Sequence, residues 1–266
     1  MGVGATPNDV ATMVNNTPDQ CAFACHDLND NNNYYKLAKS LGVTTRIDVV
    51  RTATQSLMDT AAATQTISNQ FRMAIYTFGG SASTAGLTTI TPLTSSLTSA
   101  KTAAANIDLM TVNGQGQFDD LDTNFDLIIP QLNLAMPAPG DGSSAAQPQK
   151  IMFFVSDGVA DELNPAGCSQ ATLNGDGRCQ EPLNVVLCTA IKNRGIKIAV
   201  LYTTYLPLTT NSWYNNTVAP WSSQISANMQ SCASTGLYFE VSPTQGISTA
   251  MNALFQKAVA TARLTK

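Results

Sequence analysis

KIMFFVSDGVADE, residues 150–162, joins an unbroken apolar run to a lone acid, and this junction decides the fold. Five apolar residues, 151–155, follow one another, which is typical of a strand that is covered on both faces. Asp157 follows one residue later, with a glycine behind it. Because ligands of open α/β sheets bind at the carboxyl ends of the strands, Asp157 is expected at a binding edge.

The rest of the chain repeats this arrangement of apolar strands and amphipathic helices. A second continuous apolar run, IKIAVLY, occupies residues 196–202. Alternating strands and helices predict a single doubly wound α/β domain, residues 1–266, with a mostly parallel sheet flanked by helices. Strands are predicted at 71–78, 87–93, 151–155, 196–202 and 237–241, and helices at 46–63, 97–109, 124–136, 182–194, 224–235 and 247–264. Three segments are predicted to lack regular structure: an irregular cysteine-containing segment at 1–45, a cysteine-stapled loop at 162–182 and an aromatic loop at 203–223.

Composition favours an exported protein that does not bind nucleic acid. Only 12% of the residues are charged, the net charge is −4, and no run of Lys or Arg occurs, so a groove that tracks phosphates is excluded. Six cysteines indicate disulfides and an oxidising compartment, either the periplasm or the extracellular space. No stretch has the roughly 18 consecutive apolar residues of a membrane span.

The order of these motifs resembles a von Willebrand factor A (vWA) domain. The resemblance rests on the strand ending in SDG, a helix closed by Gly195, IKIAVLY and CASTGLYFEV. More narrowly, MGVGAT, CAFACH, RIDVVRTA and YTTYLPL resemble the TadG-like proteins of the bacterial Flp pilus-assembly class. The resemblance implies a non-enzymatic interaction or adhesion domain of the cell envelope. Its partner would be a protein, a pilus or envelope component, bound at the carboxyl edge of the sheet.

The family's metal-ion-dependent adhesion site is matched only in part. Asp157 matches its third element and Thr123, within DTNFD, its second, whereas the Asp-x-Ser-x-Ser loop is absent from the sequence. The resemblance implies a divalent cation, Mg²⁺ or Mn²⁺, in an intact protein and weak or absent binding in this chain. A bland alternative for Asp157 is an acid that caps the turn before Val159.

The same resemblance implies that a central strand is missing. It would lie between the strands at 71–78 and 151–155, in a preceding part of a longer parent protein that also carries a membrane anchor. Without it, two strand edges stay unpaired, so we expect the chain to be poorly stable or oligomeric.

The six cysteines allow 15 connectivities, and we favour the one that consists of the following three pairs. Cys21 and Cys25 lie in CAFACH, where we favour a local disulfide over two alternatives, a variant c-type haem attachment with His26 as ligand and a zinc site. Cys168 and Cys179 flank one loop and are expected to pair. Cys188 and Cys232 lie on helices that precede neighbouring strands, so they are expected to meet on one face of the sheet.

Five aromatic residues follow the second apolar strand and suit an interface, although packing under a long loop explains them equally well. They are Tyr202, Tyr205, Trp213, Tyr214 and Trp221. An alternative function from a different class is an envelope c-type cytochrome, or a metal-dependent enzyme on the same fold.

Overall fold

Strands and helices alternate along most of the chain. The computed structural model describes residues 34–78, 86–110, 123–163, 167–171, 178–242 and 246–263. The strands are β1 (Met73–Phe78), β2 (Leu87–Thr94), β3 (Ile151–Ser156), β4 (Val159–Leu163), β5 (Arg178–Pro182), β6 (Lys197–Thr203) and β7 (Tyr238–Val241). The helices are α1 (Tyr34–Ser40), α2 (Arg46–Thr64), α3 (Leu97–Ala104), α4 (Phe125–Ala135), α5 (Val185–Asn193), α6 (Ser223–Cys232) and α7 (Ile247–Arg263).

The central sheet is parallel, and its strand order is β3–β6–β7. In its first pair, Ile151 lies opposite Lys197 and Ser156 lies opposite Tyr202. Strands β1 and β2 form an antiparallel pair, and β4 and β5 form another. A parallel sheet flanked by helices confirms the predicted α/β fold class.

Helices cover both faces of this sheet, which explains the continuous apolar runs in β3 and β6. Alternate residues of a strand point to opposite faces. Met152 and Phe154 pack with α4, α5 and α6 on one face. Ala199 and Leu201 pack with α2, α3 and α7 on the other.

An open cleft separates β1 from β3. Strand β1 is hydrogen-bonded to β2 alone and β3 to β6 alone, within the described residues. Every residue of both strands lines the cleft, whose volume is about 1620 Å³. Strand β6, flanked on both sides, is buried along almost its whole length, whereas Ile151, Phe153 and Val155 of β3 stay half-buried. The cleft therefore lies where the sequence analysis places an absent strand.

The segment predicted as a cysteine-stapled loop contains two strands instead. Strands β4 and β5 pair from Val159 opposite Pro182 to Leu163 opposite Arg178. Pro182 accordingly ends a strand and does not open the following helix. That helix begins at Val185, because the side chain of Asn184 accepts a hydrogen bond from the N–H of Val186 at its first turn.

Three other predicted boundaries change. Helix α3 ends at Ala104 and not at residue 109, and α1 adds a short helix within the segment predicted as irregular. The segment predicted as an aromatic loop contains a π-helical turn at Tyr214–Val218 and a 3-10 turn at Ala219–Trp221. In that segment, Tyr214, Val218 and Trp221 are buried, so burial of apolar side chains, and not local propensity, determines its helical turns.

Candidate functional site

Asp157 lies at the carboxyl end of β3 and lines the cleft. Its Oδ1 accepts a hydrogen bond from the N–H of Val159 at 3.4 Å, and the N–H of Gly158 donates to Ser156 Oγ at 3.0 Å. The turn thus contains the capping contact of the bland alternative. The Asp157 side chain is still 37% exposed, so the carboxylate remains accessible from the cleft.

Arg46 lies beside this carboxylate, a neighbour that the sequence analysis missed. Its Nη1 is 3.9 Å from Asp157 Oδ2, and it is the first residue of α2. Partial loss of water around the carboxylate in the cleft raises the pKa of Asp157, although Arg46 and the N–H of Val159 act in the opposite direction. Nothing in the sequence indicates this neighbour, because α2 and β3 are about a hundred residues apart and meet only in the fold.

Thr123 reaches the same cleft from the segment before α4. It exchanges two backbone hydrogen bonds with Asp161, at 3.1 and 2.9 Å, and the next residue, Asn124, caps the helix by accepting from the N–H of Leu127. Thr123, Asp157 and Asp161 all line the cleft. Both predicted ligands therefore lie on the wall of the same cleft.

These two residues fit a divalent cation poorly. Asp157 Oδ1 already accepts a backbone hydrogen bond, and Oδ2 faces the guanidinium of Arg46. A fixed positive charge close to the carboxylate opposes a second cation, whose binding would need further oxygen ligands. Asp157 and Thr123 by themselves do not complete a cation site, and Asp-x-Ser-x-Ser does not occur in the sequence.

The aromatic cluster is part of the protein interior rather than an exposed surface. Tyr202, Tyr214 and Trp221 are 3 to 5% exposed and belong to the core on the α4–α6 side. Tyr205 packs against this core, its ring stacked on Tyr214 with centroids 6.2 Å apart, and Trp213 Nε1 donates to Gln180. The interface interpretation is wrong for the three buried rings, because a partner would find no surface there, and the packing alternative replaces it.

Two of the predicted disulfides are present. Cys168 is joined to Cys179, and Cys188 to Cys232. The second bridge links α5 to α6 within the core, as the positions of these helices before neighbouring strands predict. Cys21, Cys25 and His26 lie outside the described residues, and so do the haem and zinc alternatives for CAFACH.

A second group of acids is buried behind β4 and β5. One oxygen each of Asp126, Glu162 and Glu181 lies within 4.8 Å of the others. Burial, together with the charges of Asp126 and Glu181, raises the pKa of Glu162 to about 7. Hydrogen bonds from the backbone at the start of α4 act in the opposite direction. Burial and the charge of Glu181 also raise the pKa of Asp126, against a hydrogen bond with Asn184.

Sequence reasoning missed this acidic cluster. Glu162 lies within the stretch that decides the fold, yet its neighbours come from α4 and β5, and no spacing rule connects the three segments. No local pattern signals the cluster, because VADEL (159–163) has two apolar residues, two acids and one apolar residue in succession and lacks the alternation of a half-buried strand.

Comparison with solved structures finds a related fold in a bacterial surface protein. The pilus adhesin SpaC from Lactobacillus rhamnosus GG matches 83% of this chain with a TM-score of 0.53 and 14% identity. Its open conformation matches with the same score and 16% identity. The chain spans 28% of the adhesin's length, and at this identity the likeness concerns the fold alone.

BatB from Bacteroides thetaiotaomicron, described as a conserved hypothetical protein, matches 81% of this chain and 89% of its own, with 14% identity and a TM-score of 0.43. Comparisons with protein-family models and with curated proteins give no match. Among the described helices, none combines the length and the apolar character that crossing a membrane requires.

Proposed function

We propose that this chain is a non-enzymatic interaction domain of the bacterial cell envelope, of the TadG-like class in Tad/Flp pilus assembly. It would contact a protein partner at the carboxyl edge of its sheet. The cleft between β1 and β3 carries this proposal, because it is lined by Asp157, at the carboxyl end of β3, and by Thr123. The two disulfides favour an oxidising compartment, and the fold shared with a pilus adhesin is in keeping with a surface role.

The partner segment is an extended, apolar strand of another protein. Strands that lack a neighbour present free backbone N–H and C=O groups, which an added strand satisfies. Among the described residues, β1 and β3 each lack a strand neighbour on the side of the cleft, and half-buried Phe153 and Val155 supply apolar contacts on one wall. If the partner strand runs parallel to β3, its carboxyl end would lie beside Asp157.

In this chain a divalent cation is not expected to contribute to partner binding. With Arg46 3.9 Å from Asp157 and no Asp-x-Ser-x-Ser loop in the sequence, Mg²⁺ and Mn²⁺ should bind weakly or not at all at Asp157. Partner binding by this chain is therefore expected to be independent of these ions.

Peptide titration tests this function. The probe is a synthetic strand of alternating valine and leucine with terminal lysines, and its control is the same peptide with every second residue replaced by proline, which removes backbone donors. Binding by the first peptide alone is expected. Val155→Lys, which puts a charge in the cleft, should weaken it, whereas Leu134→Lys, at a side chain 85% exposed outside the cleft, should not. Equal binding of both peptides would refute strand addition.

A further inference from the structure

Three carboxylates that do not include the predicted ligands Asp157 and Thr123 converge within the protein. Asp126 is the second residue of α4, Glu162 is on β4 and Glu181 is on β5. Glu162 is 1% exposed and Glu181 is 4% exposed. One oxygen of each lies within 4.8 Å of the other two. Like charges this close repel one another strongly when they are removed from water, so the group requires compensation.

The protein compensates only part of this charge. The N–H of Asp126, in the first turn of α4, donates to Glu162 Oε1 at 3.2 Å. Ser169 donates to Glu181 Oε2 through its N–H at 2.7 Å and its hydroxyl at 2.5 Å. In the described part of the chain, none of the ion pairs involves these three acids.

The remaining oxygens point to an absent ligand. Glu162 Oε2 and Asp126 Oδ1 are buried and have no hydrogen-bond partner. A buried carboxylate oxygen without a partner is strongly unfavourable, and such atoms call for a specific explanation. Because Glu162 is almost wholly enclosed, bulk water does not supply the missing contact.

We propose that Asp126, Glu162 and Glu181 bind one calcium ion. Calcium takes carboxylate oxygens at about 2.3–2.6 Å, so two oxygens on one ion are at most about 4.6–5.2 Å apart, and three oxygens that all lie within 4.8 Å of one another meet this limit. Magnesium retains most of its waters and suits a closed carboxylate cage less well.

The neighbouring disulfide holds the site in shape. Cys168–Cys179 fixes Ser169 beside β5, where its two donors orient Glu181. Cys168 and Cys179 also lie close to Glu181, but as a disulfide they offer no thiolate to a metal. The donor set is therefore all oxygen, which favours a hard cation over zinc.

Calorimetric titration with calcium chloride of protein freed of metals by a chelator tests the site. We expect about one ion per chain, with binding weakened at least about tenfold in Glu162→Gln and in Glu181→Gln, and weaker uptake of magnesium. Asp157→Asn is the matched control and should bind calcium like the wild type, because its carboxylate belongs to the cleft. This separates failure of the calcium site from failure of the proposed partner binding.

Two outcomes would overturn the proposal. One is no calcium uptake by the wild type, which would mean that protons neutralise the cluster; the other is uptake that survives in Glu162→Gln but is lost in Asp157→Asn. Should a glutamine variant fail to fold, wild-type crystals soaked in terbium chloride provide a second test. An anomalous peak between the three carboxylates supports the site, and peaks found only elsewhere refute it.

Discussion

Gly158 has two independent reasons to be glycine at the turn that positions Asp157. Its φ of +79° lies in the left-handed region, and a Cβ there would be 2.7 Å from Met229 Cγ and 2.9 Å from Ile225 Cγ2. The left-handed backbone conformation costs a residue with a side chain about 1 kcal/mol of folding free energy. Crowding of the added methyl group costs about 1–3 kcal/mol more. We expect Gly158→Ala to lower the free energy of unfolding by about 2–4 kcal/mol in urea titrations.

Gly42 is the matched control for this substitution. Its φ is +64°, yet nothing lies within 4 Å of the position of an added Cβ. Gly42→Ala should therefore show only the backbone cost of about 1 kcal/mol. Equal losses in the two variants would mean that α6 shifts to accept the methyl group, and the crowding argument would be wrong.

Asp48 anchors the start of α2, the helix that delivers Arg46 to the cleft. Burial acts to raise its pKa, but hydrogen bonds from Thr45, Lys39 and Arg51 outweigh burial and hold the pKa well below its usual range. A lowered carboxyl pKa stabilises the fold above the unfolded pKa, about 3.9, and this contribution is lost as the pH falls through the lower, folded pKa.

Substitution of Asp48 should thus depend on pH. We expect Asp48→Asn to lower stability by about 1–2 kcal/mol at neutral pH, the range of helix caps and charged hydrogen bonds, and the difference from wild type to shrink below about pH 4. Chemical unfolding across this pH range measures it. Asp59, whose side chain is 60% exposed, forms an ion pair with Lys101, and Asp59→Asn should change the stability little. A stability difference between wild type and Asp48→Asn that stays constant with pH would contradict the stabilising role of the Asp48 carboxylate.

At the scale of elements, the two disulfides close loops of different length. Cys188–Cys232 spans 44 residues and Cys168–Cys179 spans 11. In the chain-entropy model these closures contribute about 4 and about 3 kcal/mol. Replacing both cysteines of the longer bridge with alanine should lower stability more than the same change in the shorter one, measured by thermal unfolding. The reverse order would show that native-state contacts, and not loop length, decide their contributions.

The elements that the sequence predicts well are those whose burial leaves a regular pattern. Strands β3 and β6 are runs of apolar residues because helices cover both faces, and α2 and α7 carry helical spacing. Strands β4 and β5 were missed because VADEL and RCQEP hold buried acids, and Pro182 resembles a helix start. Their polar side chains are satisfied by partners distant in sequence, which no local pattern reveals.

The candidate site divides in the same way. Asp157 is predictable because a strand end, an acid and a glycine lie together in the sequence, and Thr123 because it precedes a helix. Arg46 and the cluster of Asp126, Glu162 and Glu181 are assembled from segments that meet only after folding. The aromatic residues show the converse error, since the composition of an interface and of a core is similar, and only burial separates them.

At the scale of the whole molecule, the gap between β1 and β3 interrupts an otherwise continuous architecture. A sheet normally encloses its central strands, but in the described part of the chain β1 and β3 have no strand neighbour on the side of the cleft, and half-buried Ile151, Phe153 and Val155 line it. The core on the α2–α7 side includes residues of both walls of the cleft, Ile75 on β1 and the three on β3. Stability and association are therefore coupled through this one opening.

We therefore predict that the chain self-associates and that a bound peptide strand suppresses this self-association. Free edges and apolar side chains in the cleft should pair with other copies of the chain, so sedimentation velocity is expected to show mass rising with protein concentration. The valine–leucine peptide should restore a monomer and raise the melting temperature by mass action, whereas its proline-substituted control should do neither. A peptide-free chain that stays monomeric at all concentrations and unfolds in one cooperative transition would contradict this, because the walls of the cleft would then be stable without a partner.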